Sequence, residues 1–286
     1  MKIYLINLER SSDRRSHMLS KLNELAPNVP VERALCIDIK NVDWAMPDNI
    51  RPGYWSSDRW RLGPSDIEIF RSHMDCWKRI SKSGELGIVL EDDLIFSENF
   101  KEIIKVLDKK ELNGIFRLDG VAVPLLMNKQ EKINKNFSVS KIDSIAPSAA
   151  AYVLDPITAE NLIESAKVDR TLDDYLFDPT PIDRRIKGHG LLVYQIEPVV
   201  AVQAQFGTYS EKLHYIPNFL KLTKRNDVKQ RKSKFLKGPI LYRLRRELMR
   251  KIYKYRLKKR KKNIIARNGA WRKPKLSKDL SWDLRH

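Results

Sequence analysis

"GIVLEDDLIF", residues 87–96, sets Glu91, Asp92 and Asp93 side by side between two apolar segments of strand character. The run Ile88, Val89, Leu90 reads as a buried strand of an α/β sheet. In an open sheet of that kind ligands gather where the chain leaves the sheet, at the lip of a crevice, so three acids there are placed to reach one. Adjacent carboxylates repel and an unpaired buried charge is costly, so the cluster needs a cation or solvent. With only oxygen donors on offer and no Cys or His in the strand, the cation expected is Mg²⁺ or Mn²⁺ rather than zinc. Side chains alternate along a strand, which puts Glu91 and Asp93 on one face and turns Asp92 away. The plain alternative is a solvated turn, against which the flanking apolar segments argue.

A chain of 286 residues has room for one large domain or two modest ones, each with a real core. Its net charge of +19 is uneven. Residues 221–275 hold 24 Lys and Arg against Asp227 and Glu247, whereas residues 1–220 hold 29 basic and 32 acidic groups. This predicts a near-neutral body, 1–220, and a basic region, 221–286. Cys36 and Cys76 lie in apolar stretches, where thiols are more often buried than bridged. "MKIYLINLER" has no signal-peptide pattern, which points to a reducing cytoplasm. No run of 18 apolar residues occurs, so membrane contact is expected only at the surface.

Along the chain, residues 2–8 read as a strand and "SSDRRSHMLSKLNEL" as a helix capped by Ser11 or Ser12, with Met18, Leu22 and Leu25 on one face. A second strand is expected within 31–39, a loop over 51–65, and a helix over 65–82 burying Ile67, Phe70, Met74, Trp77 and Ile80. After 87–96 come a helix near 98–109 and strands at 114–120 and 149–155. Pro156 opens another helix, and a last strand pair at 191–203 is interrupted at Pro198.

Several motifs in this order resemble one family, the glycosyltransferase family 25 enzymes of lipooligosaccharide biosynthesis. They are "INLERSSDRR", "RSHMDCW", "VLEDDLIF", "IFRLDG", "AAAYVLD", "LDDYLF" and "VYQIEPVVAVQ", together spanning residues 1 to about 205. The sequence departs from the family where Glu68-Ile69 replaces a Gly-Cys pair and Ser148-Ala149 replaces a Gly-Thr pair. The resemblance implies a Rossmann-like GT-A fold, a nucleotide-sugar donor, an inverting transfer, and Glu91 and Asp93 as contacts to ribose and metal, with Mn²⁺ or Mg²⁺ as cofactor.

The remaining site residues follow from place or from the resemblance. Asp173 matches the family's acid and is the expected general base, with Asp174 its rival and a helix cap the plain alternative. Asn7, Arg10 and Arg14 sit where the first strand hands over to its helix, suited to uracil and phosphate, with solvated helix-start residues the plain alternative for the two arginines. Arg117 and Asp119 are expected to hold a sugar hydroxyl, or else to form a surface ion pair. His73, Asp92 and Gln203 complete the donor-binding set; a satisfied core histidine is the plain alternative for His73, whose donor-side role the resemblance supports, and Gln203 is placed by resemblance alone.

In the basic region Leu241, Leu244, Leu248, Ile252 and Tyr255 recur at helical spacing among Lys and Arg, so residues 237–262 are expected to lie on an anionic membrane surface, with a solvated tail or one packed on the body as the plain alternative. The whole reading is a hexosyltransferase using UDP-galactose and a lipid-linked oligosaccharide acceptor, peripheral on the cytoplasmic face of the inner membrane, with no nucleic acid as partner. Two other classes stay open: a nucleic-acid-binding protein using the basic region, and an inactive, transferase-like carbohydrate-binding module.

Overall fold

Strand β1 (Lys2–Leu8) sends Ile3 and Leu5 to one face of a sheet and Tyr4 and Ile6 to the other, all four buried. Both faces must therefore be covered. On the first lie α1 (Ser12–Leu25), through Met18, Leu22 and Leu25, and α3 (Phe100–Leu107), through Phe100, Ile103, Ile104 and Leu107. The second is covered by α2 (Pro64–Ser83), through Ile67, Phe70, Trp77 and Ile80, with α4 (Pro156–Ser165) and α5 (Leu172–Phe177) beside it. In α4, Pro156 takes the first turn while the Asp155 carboxylate caps the helix by accepting from the Thr158 N–H at 2.9 Å. These positions are those of the computed structural model, which describes residues 1–36, 64–168, 170–178, 189–210, 217 and 240–283. The loop expected at 51–65 lies outside them except for Pro64 and Ser65, which begin α2.

Beside β1 lie β2 (Val31–Cys36) and β3 (Gly87–Glu91), both parallel to it. The other members of this sheet are β5 (Ile115–Arg117), β7 (Glu131–Lys132), β8 (Ser138–Lys141), β9 (Ala151–Leu154) and β10 (Val193–Glu197). Their spatial order is β2-β1-β3-β9-β5-β10-β8-β7. Strand β9 runs antiparallel to β3 and β5, and β10 runs parallel to β5, so β1, β3, β5 and β10 all point the same way.

The stretch 87–96 is not one strand. It stays in the sheet to Glu91, turns at Asp92 and Asp93, and continues as β4 (Leu94–Phe96), which pairs antiparallel with β11 (Ala201–Gln203). A central strand with apolar layers on both faces has nowhere to put consecutive acids, so the chain leaves the sheet there. The turn is nevertheless enclosed: Asp93 is 7% exposed.

Past residue 239 the chain forms α6 (Ile240–Ala266). Leu241, Leu244, Leu248 and Tyr255 on it are 82%, 64%, 60% and 71% exposed, so this apolar stripe is not packed on the body. The segment after α6 departs from the expectation that everything beyond 220 stands apart as a membrane-surface region. Asn268 takes a left-handed φ of 62°, and the Gly269 N–H bonds back to Ile264 O at 2.9 Å, reversing the chain. A Cβ on Gly269 would come within 2.6 Å of the Met127 carbonyl oxygen, so only glycine fits. Then β13 (Ala270–Arg272) pairs with β6 (Leu125–Met127), and β14 (Leu280–Trp282) with β12 (Gly207–Tyr209).

Arg272 locks this return by a two-pronged ion pair to Glu197, whose side chain is 1% exposed, and the Lys275 N–H donates to the same carboxylate at 2.7 Å. Arg272→Ala strands a buried charge and should cost about 3 kcal/mol of stability. Urea unfolding measures this; a change below about 1 kcal/mol would mean that the return segment carries no weight in the fold.

Candidate active site

Because β1, β3 and β5 run parallel, their carboxyl ends meet at one edge of the sheet, together with the amino end of antiparallel β9. That edge gathers Asn7, Glu91, Asp92, Asp93, Arg117, Asp119 and Ser148. Asp92 points to the first strand: it accepts from Asn7 Nδ2 at 2.7 Å and pairs with Arg14 Nη1 at 3.2 Å. Glu91 and Asp93 point elsewhere and meet at Gln203. Its Nε2 donates to Glu91 Oε2 at 2.9 Å and lies 3.3 and 3.4 Å from the two Asp93 oxygens.

Burial, then the neighbouring charges of Glu91 and Asp92, push the Asp93 carboxyl from an ordinary 3.8 up to about 7. Gln203 eases this only in part, since a neutral amide cannot balance two carboxylates. Among the described residues no three or more His, Cys, Asp and Glu converge as a ready metal cluster, so those residues offer a cation two carboxylates here.

His73 is fully buried beside the pair. Its Nδ1 lies 2.8 Å from the Tyr152 hydroxyl, which accepts from Trp77 Nε1 at 2.8 Å. Indole N–H can only donate, so the Tyr152 proton is free for His73 Nδ1, and the imidazole carries its own proton on Nε2. Burial, opposed by the charge of Asp173, lowers the His73 pKa to about 3, so the ring is neutral. Nε2 faces Glu91 Oε1 at 3.5 Å, too long for a good hydrogen bond, and has no other described partner. The result is a buried donor aimed at the carboxylate pair.

Ser148 ties the site together. It holds φ at 74°, which costs a residue with a Cβ about 1 kcal/mol and is natural for glycine. This is the position where the sequence departs from the family's Gly-Thr. Its hydroxyl stands 2.5 Å from Asp119 Oδ2 and 3.1 Å from Gln203 Oε1, and its N–H donates to Asp173 Oδ2 at 3.3 Å. Asp173 is in the first turn of α5, where the helix dipole favours a carboxylate, and its charge also reaches Arg117. Asp174 follows it, about 100° round the helix.

The placement expected for Arg117 and Asp119 needs correction. Both are 0% exposed, so neither is a surface ion pair nor open to a sugar. The Arg117 guanidinium donates to the Pro147 and Ser148 carbonyls at 2.7 and 3.1 Å and lies over the Phe177 ring at 4.7 Å. Asp119 accepts from Ser148 Oγ and from the Ala150 N–H at 3.2 Å. They shape the loop 147–150 from behind. Asn7 and Arg14 are likewise occupied by Asp92, while Arg10 is exposed in the turn after β1. Reading the sequence missed Ser148 and Tyr152 as site residues; the glycine-to-serine departure was the available signal for the first.

An α/β sheet with its polar crevice at the carboxyl ends of parallel strands is the general architecture of ligand-binding α/β proteins. Within that class, the sequence pattern described as "Glycosyltransferase family 25 (LPS biosynthesis protein)" matches residues 1–177, and the chain belongs to this family. It is 33% identical over 120 residues to procollagen galactosyltransferase 2 of Mus musculus, covering 39% of this chain and 19% of that protein. It is 25% identical over 232 residues to a Rattus norvegicus protein named "Probable inactive glycosyltransferase 25 family member 3", covering 74% of this chain and 40% of that one. The chain thus spans well under half of these relatives. The crystal structure of mannose-1-phosphate geranyltransferase from Thermus thermophilus shares 12% identity over 68% of this chain and 74% of its own, at a TM-score of 0.34 too low to bear on the fold.

Proposed function

We propose that the chain is an inverting, metal-dependent hexosyltransferase of GT-A type that moves galactose from UDP-galactose to a lipid-linked oligosaccharide of the lipooligosaccharide or lipopolysaccharide class. The observation that carries this reading is the meeting of Glu91 and Asp93 on Gln203, joined through Ser148 to the carboxylate of Asp173.

The donor set fits a divalent cation. Asp93 is buried and is held near a pKa of 7 by that burial and its acidic neighbours. Glu91 and Asp93 would hold Mn²⁺ or Mg²⁺ through their carboxylate oxygens. When bound, such an ion supplies charge stabilisation to a departing diphosphate. The chain's own groups do the rest. Gln203 keeps the two carboxylates apart and oriented. His73, buried behind the pair, turns its Nε2–H toward Glu91 and orients that carboxylate, and Asp173, positioned by the Ser148 N–H, takes the proton from the acceptor hydroxyl as that oxygen attacks the anomeric carbon. The wall built by Arg117 and Asp119 fixes these relative positions.

No described helix is long and apolar enough to cross a membrane. The exposed stripe of α6, flanked by Lys and Arg, suits an anionic lipid surface. A peripheral position of this kind would bring the protein to where a lipid-linked acceptor is found.

Incubating the full chain with a panel of nucleotide sugars, with Mn²⁺ or with chelator, tests the reading. Metal-dependent turnover of UDP-galactose above all other donors is the expected result. Preference for another UDP-sugar would correct the donor alone, while binding of sugars without turnover would favour the carbohydrate-binding module.

A further inference from the structure

The side of α6 that faces the body lines a second cavity, of about 670 Å³, against the strands β6 to β8 and β10. It is not part of the carboxylate site. Four strand spacings separate β8 from β3 in the sheet order, roughly 19 Å at about 4.8 Å each.

The charge on its walls is one-sided. Lys129 and Lys141 stand on the sheet side and Arg256, Lys259, Arg260 and Arg267 on the helix side, against only Glu131 and Asp143. Asp143 is already engaged, accepting from Asn128 Nδ2 and lying 3.9 Å from Arg260 Nε. Cations crowded around an open cavity repel one another until an anion enters. Arginine forks among them suit the planar, two-point recognition of phosphate oxygens. Val139, Tyr194 and the 7%-exposed Ile264 add apolar lining, so the cavity suits an occupant larger than a bare ion. Volumes of this size hold a small organic ligand.

The neighbouring face of the same helix says where such a ligand comes from. At about 100° per residue, the cavity-lining residues 256–267 lie about a quarter turn round from the stripe of Leu241, Leu244, Leu248, Ile252 and Tyr255. A molecule with a phosphate head and an apolar body would place its head in the cavity and its chains along the membrane that the stripe rests on. We infer that the cleft between α6 and the β6–β8 edge binds the phosphorylated headgroup of a membrane lipid, so that lipid recognition is separate from sugar transfer. The anion site stands on the cleft alone; the lipid as its source rests on the membrane reading of α6 given above.

The test uses the full chain and monomeric dihexanoyl phosphatidic acid, followed by calorimetry at physiological salt. Saturable binding of one molecule per chain is expected, weakened at least tenfold in the triple variant Arg256→Gln, Lys259→Gln, Arg267→Gln. Dihexanoyl phosphatidylcholine and inorganic phosphate should each bind at least tenfold more weakly than the phosphatidic acid. A thermal midpoint close to that of the unaltered chain shows that the triple variant is folded, and Lys129→Gln with Lys141→Gln probes the same cavity from the sheet side.

Absence of binding, or binding by the triple and double variants equal to that of the unaltered chain, overturns the proposal. Inorganic phosphate binding as tightly as the lipid would identify a free-phosphate site instead, and displacement of the lipid by an RNA oligomer at that salt would favour a nucleic-acid surface. Hydrolysis of the UDP-sugar is read on the same samples and should be unchanged in the triple variant. Absence of donor turnover with lipid binding intact would sink the transferase reading and leave this one standing.

Discussion

Asp93→Asn is expected to lower sugar transfer about a thousandfold while making the metal-free protein more stable above pH 7. The first effect follows from removing a charged metal donor, worth several kcal/mol of transition-state stabilisation. The second follows from proton linkage. In the folded chain Asp93 titrates near 7, against an ordinary 3.8, so between those values the folded state holds a proton that the unfolded state has lost. Its contribution to stability is therefore present below pH 4, declines as pH rises, and is gone above 7, where the ionised carboxylate sits buried beside Glu91. The loss is on the order of 2–3 kcal/mol once relaxation is discounted. Asparagine keeps the shape and carries no charge, so the variant's thermal midpoint in chelator should lack this decline from pH 4 to 7. Mn²⁺ should raise the midpoint of the unaltered chain more at pH 8 than at pH 5.5, and that of the variant hardly at all. Parallel pH curves for the two proteins would show that Asp93 is not the strained group described.

Asp173→Asn should reduce turnover by about 10² to 10⁴ fold, the range of a lost general base, with donor affinity nearly unchanged. The amide oxygen can still accept from the Ser148 N–H, so the loop 147–150 keeps its place and the loss is chemical rather than structural. Single-turnover rates with saturating donor separate the two. Near-normal turnover would remove Asp173 from the role, and a large loss in Asp174→Asn instead would give it to the neighbour on the helix.

The parts of the fold that were legible in the sequence are those whose side chains repeat. β1 and β3 show continuous apolar runs because both their faces are covered, and α1, α2 and α4 show an apolar face of 3.6-residue period because each is buried on one side. The three-residue strands β12, β13 and β14 show none: "GTY", "AWR" and "LSW" are too short to display a period, and their partners lie far away in sequence. The two exposed residues of β7 carry no apolar signal at all. At the site, alternation anticipated that Glu91 and Asp93 would share a side, although the strand itself ends between them. The function of Gln203 was invisible, since it exists only through a contact made 110 residues away. Arg117 and Asp119 misled for a related reason. A charged pair two apart on a strand suggests an open crevice, and nothing local reveals that the 147–150 loop closes over it.

The return of residues 270–282 to the body also sets an order of birth. β12 follows Gln203 almost directly, yet its described strand partner is β14, and Asp279 reaches back to hold the Ser97 hydroxyl at 2.7 Å and the Glu98 N–H at 2.8 Å next to β4. A ribosome must therefore deliver the whole of α6 before β12 and the start of α3 gain these partners. On the function proposed here, the nascent chain displays its lipid-seeking helix before the body's last contacts form, so arrival at the membrane precedes completion of the fold.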